Sequence, residues 1–179
     1  MPIQISLTRR ARTVSPHLLE EVEKRIRQLR PYFPEMKTKI TIGLTRSYDG
    51  MAIQTDEGHV RLMLDIRKAR NGDYKAPTYW TLAHELMHLD QFNNKMVPSG
   101  ERACDLHALA RLPPRFIDDA PSYLTIPRSV RDRWDEDHAK LAHRLAIEAL
   151  TKRRRGLRNY ICWWEERFEN TVKWPRRGT

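Results

Sequence analysis

His84-Glu85-Leu86-Met87-His88 is the stretch whose residue types and spacing could do chemistry. Two histidines four apart on an α-helix stack on one face, about 40° apart in projection, so both rings can grip one cation. A glutamate next to the first lies roughly 60° from the second, near enough to reach a metal-held water without being a ligand. With 7 histidines and 12 glutamates in 179 residues, chance supplies about 0.02 such matches. The plainer alternative is a buried helix with two satisfied core histidines. Against it, Trp80, Leu82, Ala83, Leu86, Met87 and Leu89 surround the polar trio, and three polar groups on an apolar helix are costly to bury without a purpose.

A catalytic zinc site takes three protein ligands and keeps a fourth place open. The helix expected next offers Glu101, Cys104, Asp105 and His107. Glu101 and Asp105 fall one turn apart on one face, with the small residues Cys104 and Ala108 beside it. His107 lies about 120° from Glu101. Glu101 is the favoured third ligand and His107 the alternative. Acidic residues also suit a first helical turn for its dipole alone, so Glu101 has an ordinary structural use as well.

His84-Glu85-Leu86-Met87-His88 followed by Glu101-Arg102-Ala103-Cys104-Asp105 resembles the gluzincin metallopeptidases, whose HExxH is completed by a glutamate on the next helix. The short form looks like the minimal gluzincins and the ImmA/IrrE-type proteases. The short connection from His88 to Glu101 is also similar to that of SprT-like proteases, which place a histidine where Glu101 stands. The resemblance covers residues 77–112. It implies one Zn²⁺ held by His84, His88 and Glu101, with Asp105 hydrogen-bonded to a ligand histidine, a contact that fixes ring tautomer and raises basicity.

The reaction so implied is peptide-bond hydrolysis by a metal-activated water with Glu85 as general base. An oxyanion donor is needed too. Tyr123 is the candidate, with His138, His143 and Tyr160 as others; an ordinary packed tyrosine is the competing explanation for Tyr123. Zincins bind substrate in extended form on an edge strand ahead of the metal helix, and 60–66 stands in that position.

The elements that must hold these residues can be read from periodicity. Ile3, Ile5 and Leu7, then Ile40, Ile42 and Leu44, then Val60, Leu62, Leu64 and Ile66 alternate as half-buried strands do. A helix starts at Ser15-Pro16, carries Leu18, Leu19, Val22, Ile26 and Leu29 at helical spacing, and stops at Pro31. Tyr48-Asp49-Gly50 reads as a turn and 69–75 as a loop. Helices are expected from after Pro77 to about Asn94 and from Glu101 to Leu112, with 116–127 irregular. A further helix carries the stripe Leu141, Leu145, Ala149, Ala142 and Ala146. Beyond Gly156 a shorter one carries Tyr160, Trp163, Trp164 and Phe168.

This order predicts an α+β chain of zincin-like build: a small mixed or antiparallel sheet, the HExxH helix, a ligand helix and a C-terminal helical extension. Residues 1–119 form the expected core with the metal site, and 120–179 a basic extension packed on it.

The net charge of +10 is uneven. Residues 1–48 hold 10 Lys/Arg against 4 Asp/Glu and 120–179 hold 14 against 8, while 49–119 hold 9 against 11. A cation site is best tolerated in that acidic middle. The densest basic run is Lys152-Arg153-Arg154-Arg155-Gly156-Leu157-Arg158, followed by Trp163-Trp164 and Trp174-Pro175-Arg176-Arg177. Arg153, Arg154, Arg155 and Arg158 are candidates for non-specific nucleic-acid binding; the competing explanation is a solvated helix end diluted by Glu165, Glu166 and Glu169. The alternative function is a non-catalytic zinc-stabilised or nucleic-acid-associated accessory protein, though a structural zinc needs no general base and normally has four protein ligands. Two distant cysteines, no apolar run long enough to span a membrane and no signal-peptide core at Met1–Ile5 lead to a cytoplasmic expectation.

Overall fold

The computed structural model describes residues 4–13, 16–34, 39–45, 50–54, 60–65, 76–93 and 97–173. Ile3, Ser15, Tyr48-Asp49, Ile66, the loop 69–75 and the segment Trp174–Arg177 lie outside the described residues. Among those described, the chain is a mixed α+β protein with a four-stranded mixed sheet and six α-helices. It divides into two compact units, Met1–Met96 and Val97–Thr179.

The first unit holds β1 (Gln4–Leu7), α1 (Pro16–Leu29), β2 (Lys39–Thr45), β3 (Gly50–Gln54), β4 (Val60–Asp65) and α2 (Tyr79–Asn93). The strand order is β1-β2-β4-β3, with β1, β2 and β4 parallel and β3 antiparallel to β4. Register puts Leu7, Ile42, Leu62 and Ala52 in one row across all four strands. Ile42, Leu62 and Ala52 are buried, as the alternation of the two central strands requires. The row beside it, Ser6, Thr41, Arg61 and Ile53, faces the other way. There Ser6 Oγ and Thr41 Oγ1 share a hydrogen bond of 2.9 Å.

Two sequence expectations change here. A fourth strand, β3, begins at the Gly50 read as a turn. The strand ahead of the HExxH helix is not an edge: β4 pairs on both sides, and β3 is the outer strand. Pairing between distant segments decides which strand is outermost, and local periodicity carries no record of it.

The apolar face of α1 is buried at Leu18, Leu19, Val22, Ile26 and Leu29, and Pro31 lies in a 3₁₀ turn, Arg30–Tyr32, that closes the helix. α2 packs against both β3 and α1.

The second unit holds α3 (Glu101–Arg111), α4 (Arg128–Arg131), α5 (Glu136–Arg154) and α6 (Tyr160–Lys173). Gly100, at φ 102, admits the chain to α3 in a conformation that side chains with a Cβ resist. Asp135 caps α5 by accepting the His138 N–H at 2.9 Å. Ala142, Leu145, Ala146 and Ala149 of the expected stripe are buried and Leu141 is half-buried. α5 packs against α3 and α6, and the Trp164 indole N–H donates to the Ala142 carbonyl at 3.2 Å.

The segment between α3 and α4 is irregular after a 3₁₀ turn, Pro114–Phe116, yet its backbone is held at many points. Arg131 donates to the Pro121 and Leu124 carbonyls, and the Trp134 indole to the Ile117 carbonyl. Glu165, ion-paired with Arg102, accepts the Thr125 N–H at 2.9 Å. Such bonds replace the ladder that a regular element would have supplied.

Candidate metal centre

α2 begins where its sequence says it should. Thr78 Oγ1 accepts the Thr81 N–H at 3.1 Å, and the Thr78 carbonyl takes the Leu82 N–H, so Thr78 caps the helix. The preceding carbonyl, Pro77, accepts the Arg25 guanidinium at 2.6 Å, the Arg25 guanidinium lies 5.1 Å from the Tyr79 ring centre, and the Tyr79 hydroxyl donates to Gln28. α1 therefore sets the direction in which α2 starts.

Along α2, Trp80, Leu82, Ala83, Leu86, Met87 and Leu89 are buried. His84 and Glu85 are buried with them at 6% exposure each, and His88 is half-buried. The Nε2 atoms of His84 and His88 lie 3.2 Å apart, with ring planes 89° to one another. Two nitrogens on one tetrahedral zinc at Zn–N of 2.0–2.1 Å sit about 3.3 Å apart, so the spacing fits a shared ion. On the far side of His88, Nδ1 is 2.7 Å from Gln91 Oε1. An amide oxygen only accepts, so Nδ1 is the donor of this pair, and in the neutral ring, the form that binds a metal, the lone pair then lies on Nε2. His84 and His88 thus form the two-imidazole half of a site that could hold a metal ion.

Periodicity gave Gln91 no role, since a glutamine three residues beyond a histidine is ordinary on a helix. What could have found it is that ligand histidines regularly donate their other ring nitrogen to an acceptor. Asp90, also buried, was equally unmarked.

On α3, Glu101 is exposed in the first turn, while Cys104 and Asp105 are wholly buried. Cys104 carries the one soft donor of that helix, a reduced thiol. Asp105 Oδ2 accepts the Tyr123 N–H at 2.8 Å, which ties the irregular segment to α3. The His107 ring stands edge-on to Tyr160 of α6, centres 6.4 Å apart.

The oxyanion candidates are spread through the second unit. Tyr123 is exposed, with its backbone N–H on Asp105. His138 stacks on Trp134 at 5.8 Å, its Nδ1 2.8 Å from Asp135 Oδ1, while His143 Nδ1 lies 2.8 Å from the Leu109 carbonyl. Tyr160 is buried, and its hydroxyl has no hydrogen-bond partner among the described residues. Burial pushes its phenol above the ordinary value, opposed by the charge of Arg153.

In the basic run, the Arg153 guanidinium lies 5.3 Å from the Tyr160 ring centre, while Arg154, Arg155 and Arg158 are exposed. Among the described residues, no helix is long and apolar enough to cross a membrane. No family model, curated protein or solved structure matches the chain.

Proposed function

We propose that this chain is a zinc metallopeptidase of gluzincin-like, zincin type, which hydrolyses a peptide bond with a metal-activated water and Glu85 as general base. The observation that carries the reading is the His84–His88 pair, with Nε2 atoms 3.2 Å apart and the His88 Nδ1 turned away toward Gln91 Oε1. Imidazole nitrogens favour zinc over the hard cations magnesium and calcium, which take oxygen. When bound, the ion supplies Lewis acidity toward the peptide carbonyl and toward water.

The remaining work falls to the chain's own groups. Glu85 takes a proton from the attacking water onto a carboxylate oxygen and passes it to the leaving amine nitrogen. Outer strand β3, against which α2 packs, offers a backbone edge to an extended peptide. The third ligand is assigned to α3. Glu101 takes that place through the gluzincin resemblance, with Asp105 behind it. Cys104 is the second reading for the same place: its thiol is wholly buried where Glu101 is exposed, and a thiolate with two imidazoles is a zinc-binding donor set.

Zinc content of the purified protein, measured beside hydrolysis of casein and a peptide mixture, tests the reading. Glu85→Gln should keep its zinc and lose about 10²–10⁴-fold in rate; full activity in that variant removes the proposed chemistry. Zinc without hydrolysis in the native protein would leave the ion a structural role. A native protein that takes up no zinc ends the reading altogether.

A further inference from the structure

Between Glu148 and Glu165 the chain carries Lys152, Arg153, Arg154, Arg155 and Arg158 and no carboxylate. The structure sorts these five cations into two groups. Lys152 and Arg153 turn onto α6. The Lys152 ammonium is 4.8 Å from the Trp163 ring centre and 3.7 Å from Glu148, and Arg153 lies over Tyr160. Arg154, Arg155 and Arg158 are exposed, and their side chains make no ion pair, hydrogen bond or ring contact among the described residues. Elsewhere in the unit several cations are matched, Arg102 with Glu165, Arg128 with Asp132, Lys140 with Glu136 and Asp137, Lys173 with Glu169, while Arg144 and Arg167 are exposed and stand apart in the sequence from other unmatched cations.

Cations at a helix C-terminus have an ordinary use, which is to satisfy the last carbonyls and the negative end of the dipole. Here the backbone has taken over the first duty. Arg155 N–H donates to the Thr151 and Lys152 carbonyls, Gly156 N–H to Arg153 at 2.9 Å, and Leu157 N–H to Lys152 at 3.0 Å. Gly156, at φ +101, makes that closure possible. The dipole fades within the last turn, and Arg158 lies beyond it. Arg154 still stands in the last turn, where the dipole favours a cation. Among the described residues, though, neither it nor Arg155 nor Arg158 has a carboxylate to neutralise it, so the tip of the α5–α6 hairpin keeps three exposed positive charges.

We propose that this tip binds nucleic acid through its phosphate backbone, with Arg154, Arg155 and Arg158 as the contacting groups. Guanidinium is weakly hydrated and matches phosphate with two parallel N–H donors. A duplex presents one negative charge per about 1.7 Å of axis, so a compact cationic tip meets several phosphates whatever the base sequence. Binding is therefore sequence-independent. Lys152 already covers Trp163, so base stacking on that ring takes no part. An anionic membrane would also attract the charges, but among the described residues the exposed large apolar side chains are Ile53, Tyr123 and Ile147, none of them in the turn, and a membrane-seeking surface needs apolar side chains to insert.

Fluorescence anisotropy of a labelled DNA duplex, titrated with the full chain over a series of salt concentrations, tests this. Affinity should fall linearly on a log–log plot as salt rises. Arg154→Ala/Arg155→Ala/Arg158→Ala should bind at least about tenfold more weakly at low salt, with a slope shallower by about 2–3. The corresponding triple lysine variant should keep most of the slope. Arg158→Glu, which lies outside α5, should weaken binding too and serves if the triple alanine variant loses its helix by circular dichroism. Native affinity and slope in a folded triple alanine variant would overturn the proposal. So would no duplex binding by the native protein at low salt, or stronger binding to phosphatidylserine vesicles than to the duplex.

Discussion

Gln91 Oε1 lies 2.7 Å from His88 Nδ1, one turn further along the same helix. When the His88 ring is neutral, that contact with an uncharged side chain favours the proton on Nδ1 and leaves the Nε2 lone pair on the side of His84. The arrangement costs little in a buried helix, because a neutral amide carries no charge to be desolvated.

Gln91→Leu should therefore weaken zinc binding by about 10–100-fold with the fold intact, since the ring loses its orienting acceptor. Gln91→Glu keeps an acceptor and should recover most of the affinity. Competition with a chromogenic chelator measures both. Equal affinity in the leucine variant would mean that the contact orients nothing.

The third donor is decided by stoichiometry. If Glu101 is the ligand, Glu101→Ala should lose zinc while Cys104→Ser and His107→Ala keep it. Loss in Cys104→Ser alone moves the assignment to the thiol. Loss in His107→Ala would require that ring to leave its place against Tyr160.

Legibility followed the range of the interactions involved. β2 and β4 alternate strongly enough to be read, since Ile40, Ile42, Leu62 and Leu64 are all wholly buried. β3 buries the small Ala52 and leaves the larger Ile53 exposed, so its pattern inverts the usual rule and periodicity does not reveal it. The HExxH helix was readable because its spacing alone brings His84 beside His88. The order of strands was not, for it rests on the pairing of β2 with β4 across the intervening β3. Nor was the pinning of the irregular segment, which depends on Asp105, Arg131, Trp134 and Glu165 arriving from separate helices.

Asp105 bears on stability. It is wholly buried and accepts the Tyr123 N–H. Removing the acceptor in Asp105→Ala should cost about 1–3 kcal/mol. Asp105→Asn, which retains a carbonyl oxygen, should cost less. Urea unfolding gives both values, and an alanine variant as stable as the native protein would show that the bond carries no weight.

Tyr160 predicts a pH effect. Its phenol is raised by burial, so the folded chain holds the proton more tightly than the unfolded one. Stability from this group is complete below the unfolded value, about 10, and declines as pH rises above it. Tyr160→Phe removes a buried hydroxyl without a partner among the described residues and should leave stability at neutral pH unchanged or higher. Its urea midpoint should then fall less than that of the native protein between neutral pH and pH of about 10.5. Parallel decline in both proteins would locate the alkaline loss elsewhere.

The bond from Arg25 to the Pro77 carbonyl spans 52 positions of sequence. The helix that carries His84 and His88 thus borrows its footing from a segment made much earlier in the chain. Fifteen residues long, it is near the limit below which an isolated helix frays in water. A synthetic peptide of α2 would reproduce the spelling of the motif but not the fixed base from which its two imidazoles are aimed.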